Sequence, residues 1–458
     1  MTPASIRSQE SLGRVHFIGI GGVGMSAVAR IMVARGVTVS GSDAKDLPVM
    51  AELAAAGARI AVGYRASNLG DAQTVVAGSA IRADNPELVA ARDSGLPVLH
   101  RSEALAATMG DDVVVTVAGT HGKSTTTSMI AVLLQGAGLD PSFAIGANVP
   151  ALGVNAAHGA SGIFVAEADE SDGSFLNYRP KIAVVTNVEP DHLDYYGTAE
   201  AVYESFDRFT ELLPEDGVLI ACADDDGALA LAERTKARGT TRVLLYGTSD
   251  RADLVLHDGG PGHVEVSSAA GRFALELQVP GRHNALNAAA AVAVALELGV
   301  DAGAAARALA DFSGASRRFE LKGEARGVRV FDDYAHHPTE VRAALTAARS
   351  VAGTHRVHVV FQPHLFSRTR EFAGEFAAAL NLADTALVLD IYPAREDPIP
   401  GVTSQLIGDH LASGGRLVAA DEAVAALVEA AGPGDIILTV GAGDVTSFGP
   451  QIVQALDG

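Results

Sequence analysis

Tryptophan is absent from this 458-residue chain, and cysteine occurs once, at position 222. A single thiol excludes an intrachain disulfide, and its setting in LIACADDD reads as a core thiol rather than a reactive one. Basic residues are scarce: 34 Lys and Arg stand against 55 Asp and Glu, a formal net charge of −21. That balance argues against a nucleic-acid or anionic-membrane partner, and it makes any local cluster of cations informative. Long apolar runs are also missing. The nearest, 285–300, is alanine-rich and interrupted by Asn287 and Glu297, which reads as a buried helix rather than a membrane span. The opening residues, MTPASIRSQESLGRV, hold no apolar core of a secretory signal, so a cytoplasmic location is expected. What the chain has in quantity is glycine (49 residues) and a 48% hydrophobic content. Both suit helices packed closely on sheets, and the length predicts about three domains.

The most informative stretch is DDVVVTVAGTHGKSTTTSMIAVLLQGAG, residues 111–138. Val113 to Val117 reads as a buried strand, Gly119-Thr120-His121-Gly122 as a turn, and Lys123 onward as a helix with apolar residues through Leu134. Strand, glycine turn, Lys-Ser and helix make a phosphate cradle. Backbone N–H groups converge on phosphate oxygens, Lys123 supplies charge, and the Ser124 hydroxyl is a ligand for Mg²⁺. The spacing is shorter than the usual P-loop, which would have a glycine at the position of Val117.

Around it the pattern is α/β throughout. Residues 14–110 alternate strand and helix as in a doubly wound, Rossmann-like sheet. The first turn, Gly19-Ile20-Gly21-Gly22-Val23-Gly24, fits GxGxxG, with Asp43 ending the next strand. That predicts a phosphate-bearing ligand with Asp43 on a ribose hydroxyl, and leaves its identity, NAD included, open. In the central part, GIFVAEADESD (162–172) ends in Glu167, Asp169, Glu170 and Asp172, and IAVVTNVEPDHLDYYG (182–197) ends in Glu189, Asp191, His192 and Asp194. Like charges at strand ends repel unless a cation sits among them, so Mg²⁺ for bound ATP is expected there. Residues 247–273 alternate apolar and polar and predict small antiparallel strands appended to the sheet. PGRHNALNAAAAVAVALELG (280–299) starts a helix whose His283, Asn284 and Asn287 cap it or read an adenine edge. A break at SGASRR, near 312–318, predicts a hinge. Beyond it a third α/β unit carries Asp332 to His337, then Gln362 to Arg370, then Asp390 at strand ends. Ligands bind there in open sheets, and the paired histidines and arginines suit an anionic substrate. The expected division is 1–110, 111–313 and 314–458.

With these blocks in hand the chain resembles the Mur ligase family over essentially its whole length. GIGGVGMS, GTHGKSTTT, EADESD, NVEPDHLD, PGRHNALNA, SRRFE, DDYAHHPTE, FQPHLFSRT and LDIYPAREDPIPG resemble that family's blocks, in its order. The resemblance implies an ATP-dependent ligase of three domains, an N-terminal Rossmann-like sheet, a central P-loop-type ATPase with small extra strands, and a C-terminal Rossmann-like domain. It implies joining of L-alanine to the lactyl carboxylate of UDP-N-acetylmuramate through an acyl phosphate, in cytoplasmic peptidoglycan precursor synthesis, by a monomer or weak homodimer. By the same resemblance, Gly21, Gly22, Val23, Gly24, Asp43 and Ser79 would hold the UDP-sugar in the first domain. Gly119, Thr120, His121, Gly122, Lys123, Ser124 and Thr125, with His283, Asn284, Asn287, Arg318 and Asp333, would bind ATP. Ser124, Glu167 and His192 would serve Mg²⁺. Tyr334, His336, His364 and Arg368 would take the sugar-nucleotide's muramoyl part, with Lys123, His336 and Arg368 catalytic and His336 the general-base candidate.

Some positions depart from the family's pattern. Ser124 stands where many relatives have threonine, Tyr64 where others have histidine, and Leu365 and Phe366 where some carry Arg and Tyr. Val202 to Phe209 offers no lysine, whereas several sister ligases use a carbamylated one. Three other readings fit parts of the sequence: a ligase joining a recovered peptide to the same sugar nucleotide, an NAD-dependent oxidoreductase, and a nucleotide-dependent switch.

Overall fold

The computed structural model describes residues 9–260, 262–394 and 396–458; the first eight residues of the segment read above for a secretory signal, and Arg395 of the last block, lie outside them. The described residues form two compact units, one of 9–257, 265–275 and 286–312, the other built mainly of 313–458 together with 258–264 and 276–285. No helix among the described residues is long and apolar enough to cross a membrane.

The first unit contains two sheets. One has five parallel strands in the order Arg59–Val62, Val39–Asp43, Val15–Ile18, Thr74–Ala77 and Val98–His100. The order reverses direction at Val15–Ile18, the doubly wound topology, which leaves the turn after that strand open as a ligand crevice. The second sheet is larger. Its centre runs Arg242–Gly247, Val218–Cys222, Ile182–Val185, Val113–Ala118, Ile163–Glu167 and Ser142–Ala144, all parallel. Such strands are covered on both faces and therefore read as unbroken apolar runs; Val218–Cys222 is buried at every residue. Cys222 is 3% exposed, and burial raises its thiol to about 11, as expected of a core cysteine.

Helix Lys123–Gly136 is buried at every position from Ser124 to Leu134, because it lies between the sheet and helix Ala302–Leu309. Gly136 permits that packing, since a Cβ there would stand 2.7 Å from the Ala308 methyl. Residues 242–276 supply Arg242–Gly247, Leu254–Asp258, His263–Ser268 and Gly271–Glu276. The extra strands are thus present, and Leu254–Asp258 joins them to the sheet by pairing parallel with Arg242–Gly247, Tyr246 against Leu254.

The second unit has a six-stranded sheet ordered Glu320–Ala325, Val328–Asp333, Ile436–Val440, Val357–Phe361, Thr385–Val388 and Gly415–Leu417. All pairs are parallel except the first, an antiparallel edge strand with an irregularity between Leu321 and Gly323 that alternation alone did not suggest. Two apolar clusters, around Phe361 and Phe376 and around Val360 and Ile452, fill its faces. Helix Phe366–Leu380 begins earlier than its apolar spacing implies, which puts Arg368 in its first turn.

Candidate functional site

The phosphate loop is fixed from behind by the neighbouring strand end. Gly119 has φ +136° and Gly122 φ +81°, conformations that side chains resist, and a Cβ on Gly119 would collide with Thr186 Oγ1. Asn187 Oδ1 accepts from the His121 N–H at 2.7 Å, while Thr186 Oγ1 and Asn187 Nδ2 donate to the His121 carbonyl. Thr120 Oγ1 donates to the Glu189 carbonyl and accepts from the Glu189 N–H. These links join the GTHGKS and NVEP blocks into one rigid corner. Asn187 and Thr186 are functional supports that sequence reasoning passed over, although both directly follow an apolar strand. Asn287 also belongs here, with Oδ1 2.9 Å from where a Gly122 Cβ would be.

Lys123 is turned back on its own loop. Its Nζ donates to the Gly119 carbonyl at 2.7 Å, the Thr120 carbonyl at 3.1 Å and Glu170 Oε1 at 2.8 Å. Burial opposes the ammonium charge, but Glu170, Asp169 and Glu167 outweigh it and hold the Lys123 pKa above its usual value. Glu170, 2% exposed, responds the other way: burial drives it up to about 7 despite the lysine beside it. The acidic cluster expected to repel is in fact individually partnered. Glu167 accepts from Ser124 Oγ at 3.0 Å and from the Gly146 N–H at 2.8 Å. Asp169 lies 3.7 Å from Arg101, and Asp172 accepts from Ser79 Oγ at 3.1 Å. Ser124 and Glu167 therefore meet, as the metal assignment requires. His192 sits instead against Glu170 (3.7 Å) and Asp191 (3.6 Å), in a left-handed conformation at φ +55°. The Glu170 pairing with Lys123 is long-range in sequence, and spacing gave no signal of it.

In the five-stranded sheet, Gly21, Gly22, Val23 and Gly24 form the turn into helix Val23–Ala34, whose first turn has no side-chain cap. Val23 is exposed at this tip. Asp43 ends its strand beside the turn, but one carboxylate oxygen accepts from the Gly21 N–H at 3.0 Å and the other from the Lys45 N–H at 3.3 Å. It shapes the turn as well as facing it. Ser79 joins His100 at 3.1 Å and Asp172, linking the small sheet to the acidic strand end of the larger one.

The remaining expected residues lie in the second unit. Tyr334, His336, His364 and Tyr392 form a run of rings with centroids 5.3, 6.0 and 5.8 Å apart, and Arg317 and Arg318 lie over Tyr334 at 4.8 and 5.1 Å. Asp333 accepts from the Phe319 and Ala335 N–H groups at 2.8 Å each and is raised to about 6 by burial, against the pull of Arg318. His336 Nδ1 is 3.1 Å from the Tyr334 carbonyl, which can only accept; a proton on Nδ1 leaves Nε2 as the basic nitrogen. Arg368 is buried in the first turn of helix Phe366–Leu380, just beyond Leu365, whose φ is +71°. His283 and Asn284 open helix Arg282–Glu297, Asn284 donating to the Pro280 carbonyl at 2.7 Å, while burial lowers His283 to about 4. That bond ties Asn284 to the turn before the helix. The ATP set is divided between units: Gly119 to Thr125 and Asn287 in the first, His283, Asn284, Arg318 and Asp333 in the second.

Three family models match in succession: "Mur ligase family, catalytic domain" over residues 14–112, "Mur ligase middle domain" over 117–295 and "Mur ligase, glutamate ligase domain" over 317–443. This chain belongs to the Mur ligase family. The UDP-N-acetylmuramate–L-alanine ligase of an Arthrobacter species is 81% identical over 99% of this chain and 97% of its own length. The enzyme of that name from Renibacterium salmoninarum is 66% identical over 97% and 96%. Among solved structures, UDP-N-acetylmuramate–alanine ligase from Thermotoga maritima superimposes with a TM-score of 0.78 at 30% identity, covering 96% of this chain and 98% of that one. A murein peptide ligase from Psychrobacter arcticus gives 0.70 at 27%, covering 97% and 99%. Membership in the Mur ligases sets aside the oxidoreductase and switch readings.

Proposed function

We infer that this Mur ligase joins L-alanine to the lactyl carboxylate of UDP-N-acetylmuramate at the expense of ATP, in the cytoplasm, as a step of peptidoglycan precursor synthesis. The observation that carries the reading is 81% identity, end to end, with a ligase of that name. The order of chemistry follows from the groups present. The lactyl carboxylate attacks the γ-phosphorus of ATP and ADP leaves; the alanine amine then attacks the acyl phosphate and inorganic phosphate leaves. Positioning and charge neutralisation dominate such transfers. Gly119 to Thr125 cradle the phosphates, and Lys123 exchanges Glu170 for the transferring phosphoryl group. Asn287, His283, Asn284, Arg318 and Asp333 complete the nucleotide contacts. Gly21, Gly22, Val23, Gly24, Asp43 and Ser79 hold the UDP portion, and Tyr334, His336, His364 and Arg368 the muramoyl end. His336 accepts the ammonium proton of alanine at Nε2.

The oxygen donors among the assigned residues fit the magnesium ion that such chemistry calls for, while the His192 nitrogen, resting against Glu170 and Asp191, is assigned on the family resemblance. Ser124 Oγ and Glu167 Oε1, 3.0 Å apart, are oxygen donors of the kind a hard cation takes, and His192 is the third group we assign to it. When bound, the ion screens phosphate charge. Domain limits of 1–110, 111–313 and 314–458, and a monomer or weak homodimer, complete the proposal.

The test supplies purified chain with UDP-N-acetylmuramate, ATP and Mg²⁺, and measures phosphate release with either L-alanine or an alanyl tripeptide. L-Alanine-dependent release is expected. Release with the tripeptide alone would make this chain a peptide ligase instead.

A further inference from the structure

Arg101 has no part in the assignments above, yet it lies across the glycine turn of the first sheet. It opens helix Arg101–Met109, and its direction is set by a capping box: His100 accepts from the Ser102 N–H, and Glu103 accepts from the His100 N–H at 2.7 Å. The start of this helix is also tied to the acidic segment, through Asn177 Nδ2 to Ser102 Oγ at 2.7 Å and Ser79 Oγ to Asp172 at 3.1 Å. So anchored, the guanidinium covers Gly24 closely. A Cβ on Gly24 would stand 2.3 Å from Arg101 Nη1 and 2.9 Å from its Cδ. Gly24 is not in the left-handed region, so a side chain there would displace Arg101 rather than strain the backbone.

The guanidinium is held without being used up. Asp169 lies 3.7 Å from Nη2, a distance for an ion pair but not for a hydrogen bond. The side chain keeps 34% of its surface exposed. It stands beside the uncapped first turn of helix Val23–Ala34, which already favours an anion. A planar fork of N–H donors there matches two phosphate oxygens at once.

We propose that Arg101 is a diphosphate-binding residue for the sugar nucleotide, and that Gly24 is kept without a side chain so that the guanidinium can cross the turn. The assignment rests on the first sheet being the UDP-sugar site. Asp169 holds the arginine in place at rest and yields it to the incoming diphosphate, which offers shorter, charge-assisted hydrogen bonds.

The test compares binding of UDP-N-acetylmuramate, UDP, uridine and ATP to the wild type, Arg101→Gln, Arg101→Lys and Gly24→Ala by titration calorimetry. Loss of a charge-assisted pair predicts about 10- to 100-fold weaker UDP and UDP-sugar binding in Arg101→Gln. Arg101→Lys should recover part of that loss, because it restores charge but not the fork. Gly24→Ala should weaken both ligands in the same direction, and combining it with Arg101→Gln should add little. Uridine, without phosphate, and ATP should bind the variants as they bind the wild type. Native UDP affinity in Arg101→Gln would overturn the assignment alone, and so would an equal loss for uridine, which would mark a purely structural role. A wild-type chain that bound neither UDP nor its sugar conjugate would overturn the underlying reading of the first sheet as well.

Discussion

Lys123→Ala separates the two jobs of this lysine, because it strands Glu170. The Glu170 side chain is 2% exposed, and Lys123 is its cationic partner at 2.8 Å. Breaking a buried pair costs about 3–5 kcal/mol when the remaining charge stays ionised. Glu170 has another course. Burial already raises it from an ordinary value of 4.5 to about 7 with the lysine present, so without the lysine it takes up a proton at still higher pH. A carboxyl whose folded pKa exceeds its unfolded one contributes stability that is complete below about 4.5 and is lost as pH rises to the folded value. Each pH unit in that interval costs about 1.4 kcal/mol. In the wild type the loss ends near pH 7, whereas in Lys123→Ala it continues above it. The melting difference between the two should therefore widen from pH 7 to pH 8 by about 3–5 °C, given a fall of roughly 2–4 °C per kcal/mol for a domain of this size. Calorimetric scans at pH 6, 7 and 8 without nucleotide measure it, and Lys123→Ala with Glu170→Gln should recover most of the loss and flatten its pH dependence. In the same samples, phosphate release should fall at least about 100-fold. Affinity for UDP-N-acetylmuramate should stay within about twofold of the wild type. A melting deficit that is equal at every pH and indifferent to Glu170→Gln would refute the coupling. Collapse of UDP-sugar affinity would refute the placing of the two phosphate sites on separate sheets.

The remaining predictions concern the metal and pH. Ser124→Ala removes one of two groups that orient Glu167, so half-maximal activity should need about tenfold more Mg²⁺, with Ser124→Thr close to the wild type. Gly146→Ala should do the same without altering the Michaelis constant for UDP-N-acetylmuramate, because its Cβ would press within 2.8 Å of the Glu167 carboxylate; metal titration of phosphate release checks both. Burial lowers His283 from 6.5 to about 4, so the folded state loses stability as pH falls through that interval. Urea midpoints between pH 4.5 and 7 should slope accordingly in the wild type and less in His283→Gln.

The parallel strands were legible because burial on both faces writes them as apolar runs; Val113–Ala118 and Ile182–Val185 could hardly be read otherwise. The corner that brings the Lys123 loop against the two acidic strand ends was legible for a related reason, since strand ends in such sheets collect the polar residues. Elements held by tertiary contact were not. Glu320–Ala325, ELKGEA, is an edge strand with a register shift at Leu321/Gly323, and neither alternation nor propensity marks it. Helix Phe366–Leu380 starts without a capping side chain, from Leu365 at positive φ, so no start signal exists in its sequence. Similarly, a run of acids says that charge must be balanced without saying by what. Arg101 is 68 residues from Asp169 and Lys123 is 47 from Glu170, and only the fold brings them together.

Those pairings explain how a chain with a net charge of −21 could hold the two phosphate sites proposed above. Two of the cations assigned to phosphate are already matched by carboxylates of the 167–172 segment: Lys123 by Glu170 and Arg101 by Asp169. An isolated buried ammonium would be forced toward its neutral form, and then could not attract an anion. Glu170 prevents this, at the cost of competing with the ligand for the same ammonium group. Binding is consequently an exchange of one anion for another, in which net affinity is the difference between phosphate and carboxylate rather than the full Coulomb attraction. The higher charge of a nucleotide phosphate wins that comparison, whereas a singly charged metabolite gains little over the resident glutamate. In the reading proposed above, Glu170 and Asp169 would then be released beside the bound phosphates, next to the Glu167 assigned to magnesium. The acidity of this strand end thus stabilises the charged lysine before binding and, on the proposed reading, would serve the metal afterwards.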